Sequence, residues 1–266
     1  MGGQLVRLAS VLMGAVPFDE GNVNDTYRGQ VLTDDGVTKS AVIKDLDDKQ
    51  LANELFVSVI AKALDLPTPE IFLAEARTDV LRLRKGRETS GGRICLASVD
   101  VKVPNLTFRL GVANDAAKER IYSDLQRWSG LGAVIAFDTW IANVDRHGGN
   151  ILVGGAGEYW LIDHGHSLTG PDWTPTTLDP NQVYLNKVAT WANPRLSDPD
   201  RAAKATDIDK SSGQMHSLNV GSCRTTARVD EILVPGDCDA AEQFVRQRKS
   251  LVAKQAKGLI GVSVLA

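Results

Sequence analysis

Carboxylate and carboxamide side chains are concentrated in two short segments near the middle of the chain. Segment 143–150 (NVDRHGGN) places Asp145 and Asn150 five positions apart on a glycine-rich loop. A second carboxylate, Asp163, follows in segment 161–165 (LIDHG). Mg²⁺ takes oxygen ligands of this kind and completes its shell with water and phosphate oxygens. The residue types therefore indicate magnesium-dependent chemistry.

The predicted elements around these segments would bring the oxygen ligands together. A helix is predicted over 131–142, and a strand, turn and strand over 151–162 should form a two-stranded ribbon. Because the outer ends of the two ribbon strands meet, we expect Asn150 and Asp163 to lie within reach of one cation. Phosphoryl transfer from ATP needs metal ions on the phosphates, a carboxylate at the acceptor and a cation on the phosphates. The segments thus predict an ATP-dependent phosphotransferase that uses Mg²⁺.

The same residues carry a resemblance to known families. The pattern Asp138-x-x-x-x-Asn143-x-Asp145-x-His147-x-x-Asn150, followed by Ile162-Asp163-His164-Gly165, resembles the catalytic and metal loops of HipA-like kinases. It is also similar to the Asp-Arg-His-x-x-Asn and Ile-Asp-x-Gly pair of phosphatidylinositol kinases. The resemblance implies that Asp145 is the catalytic carboxylate and that Asn150 and Asp163 bind the metal. His147 would support the loop or stabilise charge.

The resemblance also implies a nucleotide site upstream. Kinase-like folds place a lysine on a strand to bind the ATP phosphates and hold it with a glutamate from the following helix. Lys44, after Ala41-Val42-Ile43, is similar to that lysine, and Glu54 is similar to that glutamate.

The resemblance to kinase-like folds implies two further nucleotide-binding segments. Segment 22–28 stands where a phosphate-covering loop belongs but lacks G-x-G-x-x-G, so Asn24 and Thr26 would bind phosphate through backbone amides or side chains. The adenine-binding hinge would fall near 96–101, with Ala97 and Val99 as its contacts.

These expectations define an α+β fold class, a two-lobed protein-kinase-like fold with a β-rich N-lobe containing one helix and a mainly helical C-lobe. The N-lobe would span 1–104 and the C-lobe 105–266. Strands are predicted between Leu5 and Ile43 and at 71–74, 80–83 and 94–96, and the N-lobe helix at 48–64. Helices are predicted at 115–128 and 240–259, and long surface loops at 165–180 and 193–214.

Composition limits the other classes of function. The 266 residues carry a formal net charge of −3, which gives no electrostatic attraction to nucleic acid or to anionic lipid. Three widely separated cysteines without a C-x-x-C pair favour a reducing, cytoplasmic location. No run of eighteen apolar residues occurs, so no membrane span is expected. The expected partners are ATP and a phosphate acceptor of unknown identity, most simply a protein.

Several alternatives stay open at this point. Asp145, Asn150 and Asp163 could be ordinary turn residues, and Lys44 and Glu54 could be solvated surface charges. His147, His164 and His166 with the nearby aspartates could form a zinc, iron or manganese site. The acceptor could be a lipid or a small molecule, and a nucleotide-binding pseudokinase would act as an interaction module without transfer.

Overall fold

The computed structural model describes residues 4–18, 24–155 and 157–262. The predicted turn at 19–22 and the beginning of the predicted phosphate-covering segment at 22–23 lie outside the described residues. Residue 156 of the predicted ribbon, and residues 1–3 and 263–266 of the predicted lobes, also lie outside them.

The amino-terminal part of the described chain forms a closed β-barrel. Strand β1 pairs in parallel with β5 and antiparallel with β3, which closes the order β1-β5-β6-β4-β3 into a ring of five strands, and β2 extends β3 at the edge. The strands are β1 (Arg7–Val11), β2 (Val16–Pro17), β3 (Thr26–Thr33), β4 (Thr38–Lys44), β5 (Ile71–Ala76) and β6 (Arg93–Val99).

Alternation along the strands determines which side chains fill the barrel and which face outward. Ala41 and Ile43 of β4, and Cys95 and Ala97 of β6, are fully buried in the barrel interior together with Phe72. Because successive side chains on a strand point to opposite faces, Val42, Lys44, Leu96 and Ser98 lie on the outer surface of the barrel wall. Small residues suit the interior because a five-stranded barrel is narrow.

Helix α1 (Asp48–Ala63) packs against the outside of the barrel. Asp47 caps its first turn by accepting a hydrogen bond from the Gln50 amide. Leu51, Leu55 and Ile60 are fully buried in the main hydrophobic core. The helix is therefore held along its length, and its polar face has a fixed orientation.

The rest of the chain is mainly helical and contains one small β-ribbon. The helices are α2 (Leu106–Val112), α3 (Asp115–Arg127), α4 (Leu131–Trp140), α5 (Lys187–Ala192), α6 (Asp198–Ser217), α7 (Val220–Thr226), α8 (Pro235–Arg248) and α9 (Val252–Leu259), and the ribbon pairs β7 (Ile151–Val153) with β8 (Tyr159–Leu161). Helix α4 is the centre of this part, because nearly all of its residues are buried and it contacts α6 and α9. No helix among the described residues is both long and apolar enough to cross a bilayer.

The α+β class is confirmed, but the predicted two-lobed protein-kinase-like arrangement is wrong. The strands close into a five-stranded barrel instead of forming the open sheet of a separate lobe. The larger of two hydrophobic clusters also joins α1 and strand residues such as Leu73 and Leu96 to residues as far along the chain as Ile260, just after α9. The division at residue 104 stays a prediction.

Three element predictions are also wrong. Residues 80–83, predicted as a strand, contain no strand, and the segment 77–80 turns with Val80 N donating to Arg77 O. Most of the tract 193–214, predicted as a loop, belongs to α6, which begins with a capping box between Ser197 and Asp200. The predicted last helix at 240–259 is two helices, α8 and α9, since residues 249–251 interrupt it.

Candidate functional site

A cavity of about 600 Å³ lies between the outer barrel wall, α1 and the β7–β8 ribbon. Its volume is within the range of about 300–1,000 Å³ that is usual for small-molecule sites. Gln50, Glu54 and Ser58 line it from α1 at four-residue spacing, which places them on one helix face. Strand residues with the same outward orientation line the opposite wall: Thr26, Arg28, Val42, Lys44, Leu96 and Ser98.

Lys44 is held between two carboxylates inside this cavity. Its Nζ lies 3.1 Å from Glu54 Oε1 and 3.1 Å from Asp163 Oδ1. Burial acts to lower the pKa of Lys44, but the charges of Asp163 and Glu54 outweigh it and raise the pKa. The ammonium is therefore charged at neutral pH and fixed in position.

Asp163 is ionised as a result of the same contact. Burial acts to raise the pKa of Asp163, but the Lys44 ammonium outweighs it and the pKa is lowered to about 2. The residue adopts a left-handed backbone conformation, with φ of 60°, two positions after Leu161, the last residue of β8. Asp tolerates this conformation better than most residues, and such backbone geometry is frequent at functional sites.

The ribbon positions Asn150 beside the backbone of Ile162, the residue before Asp163. Ile151 pairs with Leu161, and Ile162 N donates a hydrogen bond of 3.1 Å to Asn150 O. The Asn150 amide nitrogen donates to Asp145 O at 2.9 Å. Since that nitrogen is engaged by the Asp145 carbonyl, the Asn150 side-chain oxygen is the group left to face a cation in the cavity.

Asp145 also lines the cavity, on the loop between α4 and the ribbon. Its backbone N–H donates to Asn143 Oδ1 at 3.0 Å, and its Oδ1 accepts from Lys187 Nζ at 2.5 Å. His147 Nε2 lies 3.7 Å from Asp145 Oδ2, and His147 Nδ1 accepts from Gly149 N at 2.9 Å. A Cβ at 149 would lie 2.6 Å from the His147 ring, so a larger residue there would require that half-exposed ring to move.

The remaining sequence-predicted residues have different positions. Asn24 and Thr26 line the cavity. The Asn24 side-chain nitrogen donates to Gln50 Oε1 at 3.1 Å, and the Asn24 side-chain oxygen accepts from Lys85 Nζ at 2.6 Å. Val99 also lines it, at the end of β6. Ala97 does not, because its side chain is buried in the barrel interior, and its neighbours Leu96 and Ser98 face the cavity instead.

Sequence reasoning missed the group that joins these loops, the buried guanidinium of Arg146. Its Nε and Nη2 each lie 3.3 Å from an oxygen of Asp138 in α4, and its Nη1 donates to the carbonyls of Asn150 (3.3 Å) and Ile162. Nη2 also donates to His164 Nδ1 at 2.7 Å. One signal was available: Asp138 is the single charged residue in the apolar helix α4 and needs a buried partner.

His164 is neutral. Burial lowers its pKa well below the usual value, and the Arg146 charge acts in the same direction. Because a guanidinium can only donate, Nδ1 must accept and the single ring proton lies on Nε2. His164 is thus part of the scaffold that Arg146 holds.

The cavity does not contain a transition-metal type of site. In the ranges 4–18, 24–155 and 157–262, no group of three or more His, Cys, Asp or Glu side chains converges as a metal site. The alternative of a zinc, iron or manganese centre built on His147, His164 and His166 therefore has no ligand cluster among the described residues. One carboxylate and one carboxamide instead fit Mg²⁺, which takes most of its ligands from phosphate and water.

The ion triad of Lys44, Glu54 and Asp163 gives a pH-dependent prediction. Asp163 has a folded-state pKa below its ordinary value of 3.8, so it stabilises the fold above that value and the contribution is lost as the pH falls toward about 2. Lys44→Met should lower the free energy of unfolding by about 3 kcal/mol near neutral pH, because it leaves the buried Glu54 and the partly exposed Asp163 without a cation. The difference from wild type should shrink on acidification, as measured by urea unfolding at about pH 6 and about pH 3.

Lys210→Met, at an exposed position of α6, is the matched control for this experiment and should differ from wild type equally at both pH values. A constant difference for Lys44→Met across the same range would contradict the triad.

Comparison with known proteins gives no family assignment. No protein-family model matches the chain, and no curated protein matches it. Among solved structures, "Structure of the open conformation of CtTel1" matches with a TM-score of 0.46 and 13% sequence identity, over 92% of this chain and 12% of that chain. A match this weak, to a small part of a much longer chain, assigns neither a family nor an activity.

Proposed function

We propose that the protein is an ATP-dependent phosphotransferase that transfers the γ-phosphate with Mg²⁺, with a serine or threonine of a protein as the acceptor. The observation that carries the proposal is the placement of Lys44 between Glu54 and Asp163 in a cavity that Asp145 and Asn150 also line. A fixed cation, an ionised carboxylate and an oriented carboxamide are the groups that a metal–triphosphate requires. Turn residues and solvated charges would not be expected to converge in this way.

Each group has a definite role in this proposal. Lys44 binds the phosphates, Asp163 and Asn150 hold the metal, and Asp145 orients the acceptor hydroxyl and receives its proton. Mg²⁺, when bound, neutralises charge on the phosphate oxygens and aligns them for transfer. The adenine end would lie toward Val99, where β6 leaves the barrel wall.

The test is a nucleotide titration with and without Mg²⁺ on wild type and on Asp163→Asn. Thermal stabilisation of wild type by ATP should require Mg²⁺. Asp163→Asn should weaken that magnesium-dependent binding by about tenfold or more, since the variant has no carboxylate at the metal and its remaining oxygen ligands hold Mg²⁺ poorly. Asp124→Asn, at an exposed position of α3, is the matched control and should bind like wild type. Equal magnesium-dependent binding by Asp163→Asn would exclude Asp163 as a ligand.

The acceptor class needs a separate measurement. Incubation with γ-labelled ATP and mixed acceptors, followed by separation of protein from extractable products, distinguishes a protein kinase from a lipid or small-molecule kinase. Label in protein supports the leading proposal. Nucleotide-induced stabilisation without any transfer would instead support a pseudokinase. The setting proposed for either activity is reducing and cytoplasmic, which the three free, buried cysteines suit.

A further inference from the structure

Lys187 contacts the proposed catalytic carboxylate from a distant part of the chain. Its Nζ lies 2.5 Å from Asp145 Oδ1, although 42 residues separate the two positions. Lys187 is the first residue of α5, which follows the long segment after Asp163.

The backbone that carries Lys187 is fixed by buried contacts. Asn186, which is 1% exposed, caps α5 by accepting from Ala189 N at 2.9 Å. Its amide nitrogen donates to Ile135 O and to Thr139 Oγ1 of α4, each at 3.0 Å. Helix α4 also carries Asp138, the partner of Arg146. The same buried helix therefore positions both the loop of Asp145 and the lysine that reaches it.

Stability alone does not account for this ion pair. Both side chains are partly exposed, at 38% for Lys187 and 28% for Asp145, and pairs of this kind contribute little to folding. The contact engages one oxygen of Asp145 and leaves Oδ2 near His147. A carboxylate that must approach a triphosphate is repelled by it, and a cation between the two groups removes that repulsion.

We propose that Lys187 is a catalytic residue that binds the terminal phosphate while it remains paired with Asp145. The inference rests on the proposed function. In the transfer step, the acceptor hydroxyl oxygen forms a bond to the terminal phosphorus, and the bond from that phosphorus to the bridging oxygen breaks. The electron pair of the broken bond leaves on the nucleoside diphosphate, and the acceptor proton goes to Asp145. Lys187 neutralises the charge on the transferring phosphoryl oxygens, whereas Lys44 binds the phosphates that stay on the nucleotide.

The first measurement is the reactivity of the Lys187 amine toward an acylating reagent, read by peptide mass spectrometry. Mg²⁺ with a non-hydrolysable ATP analogue should protect Lys187, and Mg²⁺ with ADP should not, because only the triphosphate reaches it. Lys210, exposed on α6, is the internal control and should react equally in every state. Equal reactivity of Lys187 with both nucleotides, while both bind, would overturn the inference and leave the proposed function intact.

The second measurement is turnover. Lys187→Met should lower kcat by about 10²-fold, the effect of removing one charge-stabilising donor. Lys187→Arg should recover part of this loss, and neither variant should change the affinity for Mg²⁺ with ADP. If Lys187 instead blocked the acceptor, Lys187→Met would raise kcat, which would overturn the inference. A wild-type protein that binds no nucleotide would overturn the inference and the proposed function together.

Discussion

Replacing Asp145 by Asn is expected to lower the turnover of phosphoryl transfer by about 10²–10⁴-fold, the usual contribution of a positioned proton acceptor. Asn has nearly the same shape as Asp but cannot accept the acceptor's proton. The loop should keep its conformation, because the contacts to Asn143 and Asn150 use the backbone of residue 145. Nucleotide affinity should therefore stay within about twofold of wild type, and the loss should appear in kcat.

The measurement is the steady-state transfer of labelled phosphate by wild type, Asp145→Asn and the surface control Asp124→Asn, with nucleotide binding determined on the same samples. The control should transfer like wild type. Full transfer by Asp145→Asn would show that another group receives the proton, and the proposed role of Asp145 would be lost.

The local geometry of the candidate site could be predicted from sequence because it depends on short separations. Asn150 precedes one strand of the ribbon and Asp163 follows the other, so pairing of Ile151 with Leu161 brings the two residues to the same end of the ribbon. Lys44 and Glu54 are ten residues apart on a strand and the next helix, and the structure places them in contact. In both cases the intervening chain has few ways to fold.

Closure of the barrel could not be predicted in this way. Strand β1 pairs with β3 and with β5, and the second pairing joins residues such as Leu8 and Leu73 that are far apart in sequence. An open sheet and a closed barrel show the same alternation of side chains, so the pattern does not distinguish them. The expectation of a separate β-rich lobe came from the strand and turn pattern together with a family resemblance that covers the site residues and not this pairing.

Helix α6 was predicted as a loop for a different reason. Only five of its twenty residues are buried: Lys204, Ile208, Ser211, Ser212 and Met215. Polar and small residues therefore occupy most positions, and the apolar period that normally reveals a helix is absent. Lys187 was missed for a related reason, since its contact with Asp145 spans 42 residues and depends on where α5 docks against α4.

Replacing Arg146 by Met should abolish turnover and lower the free energy of unfolding by about 3–5 kcal/mol, the usual effect of removing one partner from a buried ion pair. The variant leaves Asp138 buried without its cation and removes the donor to the Asn150 and Ile162 carbonyls. Urea unfolding measures the first effect and phosphate transfer the second. Lys254→Met, at an exposed position of α9, should leave both nearly unchanged.

A double variant separates stability from positioning. Burial raises the pKa of Asp138 even though the Arg146 charge acts to lower it, so burial of the ionised carboxylate is only partly offset by its partner. Replacing the pair with apolar residues, as Asp138→Leu with Arg146→Met, should therefore recover much of the lost stability. Turnover and magnesium-dependent nucleotide affinity should stay low, because the guanidinium no longer ties the Asn150 and Ile162 carbonyls to α4. Recovery of both in the stable double variant would mean that Arg146 only fills space, and that the ribbon alone positions the metal-binding side chains.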